Sequence, residues 1–86
     1  MELYNQVVLI TGSAQGLGRA FAVRLLTAGA RVAISDINTE NGEKTLSELR
    51  ERFGQDKVCF VRCDVTDEVE FRNLFDKTEE FFKVNQ

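Results

Sequence analysis

Hydrophobic and polar positions along the chain switch between two periodicities three times. Short apolar runs rich in β-branched residues are typical of buried strands, and the longer segments after them repeat apolar residues at helical spacing. The predicted strands cover 6–11, 31–36 and 57–65, and the predicted helices cover about 16–28, 39–53 and 67–82. Strands that alternate with helices in this way form right-handed crossovers and a parallel sheet. The pattern predicts an α/β fold.

Polar residues mark where the second and third helices begin. Asn38 or Thr39 is predicted to cap the second helix, and Thr66 or Asp67 the third. Asp67 and Glu70 also have the spacing of a capping box.

The apolar residues of each helix predict its buried side. We assign them to core packing, although the phenylalanines of the third helix could also form an aromatic binding surface. For the first helix the predicted set is Gly18, Ala22, Leu25, Leu26 and Gly29, with Leu17, Ala20 and Phe21 beside them. For the second helix it is Leu46, Leu49 and Phe53, and for the third it is Phe71, Leu74, Phe75, Phe81 and Phe82.

Composition narrows the class of protein. The 86 residues are 43% hydrophobic and 29% charged, as in an ordinary globular domain. A net charge of −3 gives no electrostatic reason to expect nucleic acid or an anionic membrane. No apolar run approaches the roughly 20 residues that span a bilayer, and "MELYNQ" lacks the features of a signal peptide. We expect a cytoplasmic location, with an organelle matrix as the alternative.

The two cysteines favour the same location. Cys59 and Cys63 lie about 13 Å apart along one predicted strand, which is too far for a disulfide. We predict two reduced, buried thiols. Because the chain has no histidine and no Cys-x-x-Cys, no metal site is predicted.

Three glycines follow the first strand in "TGSAQGLG", residues 11–18. A strand that leads into a helix presents free N–H groups and the positive end of the helix dipole, which favour a phosphate. Gly12 would allow a sharp turn, Gly16 a close approach of backbone to phosphate, and Gly18 close packing of the helix. A tight turn without a ligand is the alternative.

Acidic residues close the other two strands. Asp36 comes 24 residues after Gly12, about where a carboxylate accepts hydrogen bonds from an adenosine ribose. A 2′-phosphate there would meet like charge, and Gln15 and Ile37 beside it are uncharged, so the sequence favours NAD(H) over NADP(H). The alternative is that Asp36 is merely a surface acid at a strand end.

The third strand ends at the same edge of the sheet. Asp64 could accept a hydrogen bond from an adenine amino group, and Val65 could pack on the ring. Alternatively, Asp64 is only a turn residue before the third helix.

The motifs "TGSAQGLGRA", "ISD" and "CDVTD" together resemble the short-chain dehydrogenase/reductase family over residues 6 to about 82. The residues in and around these motifs are most similar to those of its NAD-dependent hydroxyprostaglandin dehydrogenase branch. The resemblance implies a Rossmann-type fold with three parallel strands in the order 3-2-1, helices on both faces, and residues 1–86 as the N-terminal portion of the domain. It also implies NAD as cofactor and a parent reaction that oxidises a hydroxyl group, with a hydroxyprostaglandin or similar lipid alcohol as one candidate substrate.

The resemblance also implies which residues contact the cofactor. They are Gly12, Ser13, Gln15, Gly16, Leu17 and Gly18 around the pyrophosphate and riboses, Asp36 and Ile37 at the adenosine ribose, and Cys63, Asp64 and Val65 at the adenine.

Later parts of the family pattern have no counterpart here. Members continue into a fourth strand that ends Asn-Asn-Ala-Gly, and then to a serine and Tyr-x-x-x-Lys, whose tyrosine is the acid/base for hydride transfer. This chain ends "FFKVNQ", and Tyr4 belongs to no such motif. We therefore assign no catalytic residue and expect a truncated product of a longer dehydrogenase gene.

A sheet that ends at the first strand would have an unpaired edge, and such edges favour association with other chains. We expect a marginally stable chain that self-associates. A non-catalytic protein that pairs with a full-length relative, and a module for another adenine ligand, remain alternatives.

Overall fold

Six elements follow one another in the predicted order in the computed structural model, which describes residues 3–85. They are β1 (Val7–Thr11), α1 (Gly16–Thr27), β2 (Arg31–Asp36), α2 (Thr39–Phe53), β3 (Val58–Arg62) and α3 (Glu68–Val84). Met1, Glu2 and Gln86 lie outside the described residues. The first two of these belong to the segment "MELYNQ", from which no signal peptide is predicted.

The three strands form one parallel sheet in the spatial order β1-β2-β3. This confirms the predicted order, which is the same when counted from the other edge. β3 is shorter than the predicted 57–65, because Asp64 already belongs to the turn that leads into α3. Its Oδ1 accepts hydrogen bonds from the N–H and the hydroxyl of Thr66, at 2.9 and 2.6 Å.

Helices cover both faces of the sheet, as predicted. On one face α1 packs on β1 and β2 and α2 packs on β2 and β3, and on the other face α3 packs on β2 and β3. The first core contains Ala22, Leu26, Ala30, Val32, Ile34, Leu46, Leu49 and Val58, and the second contains Ala33, Cys59 and Phe82. Both cysteines are buried, as predicted, and free.

Two phenylalanines of α3 are not where the sequence predicted them. Leu74, Thr78 and Phe82, spaced four residues apart, form the buried stripe of the helix. Phe71 and Phe75 are 39% and 51% exposed, and their rings pack edge to face at 5.1 Å. They lie to one side of the stripe that contacts the sheet, so the assignment of both to the core was wrong.

The same correction applies to α1. Leu17 and Phe21 are 74% and 55% exposed, whereas Ala22 and Leu26 form the buried side. Leu17 and Phe21 each lie about 100° around the helix from a position on the buried stripe. Ala20, which was also predicted on the buried side, is exposed as well. The apolar residues of α1 therefore extend beyond what the sheet covers.

β1 pairs only with β2, so its other side is an open edge in the described part of the chain. Val7 is 45% exposed there. A groove of about 700 Å³ runs beside this edge, lined by residues of β1 and α3 together with Arg31. Among residues 3–85, no helix is long and apolar enough to cross a bilayer.

Candidate functional site

The carboxyl ends of the three strands meet at one edge of the sheet. They surround a depression of about 310 Å³ lined by Thr11, Gly12, Ser35, Asp36, Ile37, Cys63, Asp64 and Val65. The fold thus brings together residues predicted separately from the ends of β1, β2 and β3. Gln15 and Leu17 lie outside this depression, at the start of α1, and both are exposed.

Glycines 12 and 16 both require backbone that other residues rarely adopt. Each has φ of +62°, and a Cβ at either position would meet no atom within 4 Å. The space beside the loop is therefore open to a ligand. Gly18 differs, because its Cβ would overlap the carbonyl oxygen of Gly12 and approach Ser13 Cα to 2.8 Å. Its absent side chain lets α1 pack on the loop backbone, which refines the predicted packing on the sheet.

The N-terminus of α1 has no capping side chain among the described residues. The N-cap, Gln15, makes no side-chain hydrogen bond to the helix, and the first turn contains no acid. By contrast, the side chains of Asn38 and Asp67 cap α2 and α3, which confirms the two predicted cap regions. The free N–H groups of α1 therefore combine with the positive end of its dipole, an arrangement that attracts an anion.

Ser13 ties the glycine loop to β2. Its side chain is fully buried. The hydroxyl donates to the Ile10 carbonyl at 2.7 Å and accepts from the Ser35 N–H at 2.9 Å, while the Ser13 N–H donates to the Ser35 carbonyl at 3.0 Å. The hydroxyl and the N–H of Ser13 are thus both engaged within the protein, where they hold the loop in place.

The next residue, Ala14, is held from two sides. Its N–H donates to Asp36 Oδ2 at 3.2 Å, and its carbonyl accepts from the buried Thr45 hydroxyl at 2.6 Å. Asp36 Oδ1 also accepts from the Asn38 N–H at 3.1 Å. The carboxylate is thereby oriented by backbone N–H groups, and each of its oxygens retains a lone pair for a further donor.

At the end of β3, Asp64 and Cys63 have opposite electrostatic environments. The hydrogen bonds from the Thr66 hydroxyl and N–H lower the pKa of Asp64 and keep it ionised. Burial, reinforced by the Glu70 and Asp64 charges, raises the pKa of Cys63. Burial also raises the pKa of Cys59 to about 11 despite the nearby Arg50. Both thiols are therefore protonated at neutral pH.

Arg62 and Glu70 form an ion pair next to the depression. Arg62 lies opposite Asp36 in the pairing of β2 with β3. Its Nη1 is 2.6 Å from Glu70 Oε1, and its Nε donates to the Ile37 carbonyl at 3.4 Å. The same Glu70 oxygen accepts from the Asp64 N–H at 3.2 Å.

Sequence reasoning missed several residues that support this site. Thr45 lies four residues before Leu49 on the buried face of α2, a position that could have revealed a polar residue in the core. Glu70 has capping-box spacing from Asp67, but its carboxylate contacts Arg62 and the Asp64 N–H. Nothing in the local sequence around Arg62 indicated that contact.

The comparison with protein families decides the classification. The model of the family described as "short chain dehydrogenase" matches residues 6–85. The chain belongs to this family. Within the short-chain dehydrogenases, its relatives include the 15-hydroxyprostaglandin dehydrogenase [NAD(+)] of Bos taurus, 45% identical over 82 residues. That alignment covers 95% of this chain and 31% of the relative. The sorbitol dehydrogenase of Cereibacter sphaeroides is 46% identical over 68 residues, which are 79% of this chain and 25% of that protein.

Solved structures of short-chain dehydrogenases have the same fold. A short-chain dehydrogenase/reductase from Burkholderia phymatum, in complex with NAD, matches with a TM-score of 0.89 and 30% identity, covering 96% of this chain and 29% of that one. A hydroxysteroid dehydrogenase from Escherichia coli matches with a TM-score of 0.89 and 32% identity, covering 95% of this chain and 34% of that one. These matches confirm the predicted Rossmann-type fold and family, and this chain spans about a third of the length of such relatives.

Proposed function

We propose that the chain binds the adenosine diphosphate half of NAD at the carboxyl ends of its strands. The observation that carries the proposal is the uncapped N-terminus of α1 beside the oriented carboxylate of Asp36. A helix N-terminus favours the pyrophosphate, and an acid at the end of the second strand favours ribose hydroxyls. The open space at Gly16 leaves room for the phosphate oxygens to approach the backbone.

The other predicted contact residues differ in how directly they would touch the same ligand. Ile37 and Val65 line the depression and are 55% and 51% exposed, so the face of an adenine ring would cover apolar surface that water otherwise contacts. Cys63 and Asp64 line the same depression. Asp64 is partly engaged in its turn through Oδ1, which leaves Oδ2 to accept from an amino group. Gln15 and Leu17 would contact the ligand only where it extends along α1.

Names of the relatives support NAD as the cofactor. The bovine relative is named as an NAD(+) enzyme, and the Burkholderia phymatum structure holds NAD. Bound NAD supplies a hydride acceptor, so we propose that the activity of the protein to which these residues belong is NAD-dependent oxidation of a hydroxyl group, with a hydroxyprostaglandin or similar lipid alcohol as a candidate substrate. We assign no catalytic residue in this chain, and we propose the cytoplasm as its location.

Titration calorimetry with NAD, NADP and 5′-AMP tests the binding proposal. We expect NAD to bind more tightly than NADP, because Asp36 repels a 2′-phosphate. Asp36→Asn should weaken NAD binding and reduce the preference over NADP, whereas the control Asp76→Asn, at an exposed position of α3, should change neither. Tighter binding of NADP by the unaltered chain would overturn the role of Asp36, and no binding of either would overturn the proposal.

A second candidate function is pairing through β1 with another copy of the chain or with a longer relative. The observation that favours it is the open edge of β1 beside the apolar groove that Val7, Leu9 and Phe75 line. Unpaired strand edges of this kind recruit further strands. Size exclusion with light scattering should show association that rises with concentration and falls in Val7→Lys. A monomer at all concentrations would contradict this candidate.

A further inference from the structure

Arg62 lies beside Asp36, the residue proposed to bind the ribose, but Arg62 does not line the depression. It lies opposite Asp36 across the β2–β3 pairing, and its Nε reaches the carbonyl of Ile37. None of the residues that line the depression is basic. Arg62 is therefore a cation next to the depression that could approach a phosphate attached to a ribose bound by Asp36.

Glu70 forms an ion pair with Arg62. The 2.6 Å contact joins Arg62 Nη1 to Glu70 Oε1, and the Asp64 N–H fixes the same oxygen. Glu70 thus neutralises the guanidinium and is itself anchored at the end of β3. The charges left around the depression are the carboxylates of Asp36 and Asp64.

We infer that Glu70 is a specificity-determining residue, which keeps Arg62 from binding a 2′-phosphate and so strengthens the preference for NAD over NADP. This inference rests on the proposed binding of the adenosine half of NAD. Asp36 repels the 2′-phosphate directly, and Glu70 withholds the cation that could offset that repulsion. The two effects are separable, because Glu70 lies on α3 and makes no hydrogen bond to Asp36 in the structure.

The ion pair is exposed enough to be rearranged by one substitution. The side chains of Arg62 and Glu70 are 44% and 36% exposed, and exposed ion pairs contribute little to stability. Glu70→Gln keeps an amide oxygen that can accept from the Asp64 N–H, so the end of β3 keeps its hydrogen bond while the charge is lost. The freed guanidinium can then pair with a phosphate, for which arginine geometry is well suited.

The test compares 2′,5′-ADP with 5′-AMP, which differ only in the 2′-phosphate, by calorimetry on the full chain. In Glu70→Gln we expect the affinity for 2′,5′-ADP to rise about three- to tenfold relative to the affinity for 5′-AMP. Arg62→Gln should leave both affinities at the wild-type level, because the wild-type guanidinium is already occupied. The double variant Arg62→Gln/Glu70→Gln should lose the gain.

Glu68→Gln is the matched control. It removes the same charge from the same turn of α3, but Glu68 pairs with Arg72 at 3.4 Å and not with Arg62. An equal gain in 2′,5′-ADP affinity in this control would show that the effect comes from net charge alone, and would overturn the inference. The inference would also be overturned if the gain persisted in the double variant, or if Glu70→Gln showed no gain. In each of those cases 5′-AMP and NAD still bind, so the proposed function stands; only loss of 5′-AMP and NAD binding by the wild type would overturn both.

Discussion

At the scale of single residues, the site depends on two buried hydroxyls that form hydrogen bonds within the protein. Ser13 and Thr45 each bridge the glycine loop to another element through short hydrogen bonds. A buried backbone group that loses such a partner keeps its desolvation penalty, so these contacts matter more than an average hydrogen bond. They fix the loop before any nucleotide binds.

Replacing Ser13 tests this support. Ser13→Ala leaves the buried Ser35 N–H without its acceptor, so we expect the free energy of unfolding to fall by about 1–3 kcal/mol. Urea denaturation followed by circular dichroism measures the change. The control is Thr27→Ala, whose hydroxyl donates to the Val23 carbonyl at an exposed position and should cost less than about 0.5 kcal/mol. Equal losses in the two variants would contradict a bridging role for Ser13.

Asp64 gives a prediction about pH. Its pKa lies below the usual 3.8, first because of the Thr66 hydroxyl and then because of the Thr66 N–H. A lowered pKa in the folded state adds stability above the unfolded pKa, and that stability is lost as the pH falls through the folded value. In Thr66→Val, which keeps the N–H, we expect the Asp64 midpoint in an NMR carboxyl titration to shift upward. The same midpoint in both proteins would refute the assigned cause.

At the scale of elements, the sequence predicted well those features that depend on short-range relations along the chain or on topology. Asp36 and Asp64 stand at the ends of apolar runs, and parallel strands bring such ends to one edge. The side chains of Asn38 and Asp67 cap their helices by accepting hydrogen bonds from the N–H groups of Asn41 and Glu70, each only three residues further along the chain. Since these relations span few residues or follow from topology alone, the order of elements and most of the candidate site were predictable.

What the sequence did not predict depends on how elements rotate and meet. Helical periodicity gives the spacing of an apolar stripe, but not which edge of a broad stripe contacts the sheet, so Phe71 and Phe75 were placed in the core. The bond from Thr45 to Ala14 spans 31 residues. The sequence did not predict the ion pair between Arg62 and Glu70, because the spacing of Glu70 from Asp67 is also that of a capping box.

The contact between α1 and its own loop can be tested through Gly18. Alanine favours helices by roughly 1 kcal/mol over glycine, but here its Cβ would overlap the Gly12 carbonyl. We expect Gly18→Ala to lower the free energy of unfolding by about 1–3 kcal/mol and to weaken NAD binding. Urea denaturation and calorimetry measure the two effects. Ser47→Ala, at an exposed position of α2, is the control, and a stabilised Gly18→Ala would contradict the close packing.

At the scale of the whole molecule, two surfaces offer different partners. The strand ends form a depression that contains the Asp36 and Asp64 carboxylates and lies beside an uncapped helix, whereas the open side of β1 adjoins a groove lined in part by Val7, Leu9 and Phe75. Family membership and the fold of relatives favour nucleotide binding at the first surface. The second surface favours another polypeptide, because it combines unpaired backbone groups with apolar side chains.

NMR of the ¹⁵N-labelled chain, titrated with NAD, tests the central claim most directly. We predict that the amide signals of Gly16, Leu17 and Gly18 shift together with those of Ile37 and Val65, since the pyrophosphate and adenosine would lie between them. Signals along the β1 groove should not move. Shifts confined to that groove, or the absence of any shift at the start of α1 at saturating NAD, would contradict the account.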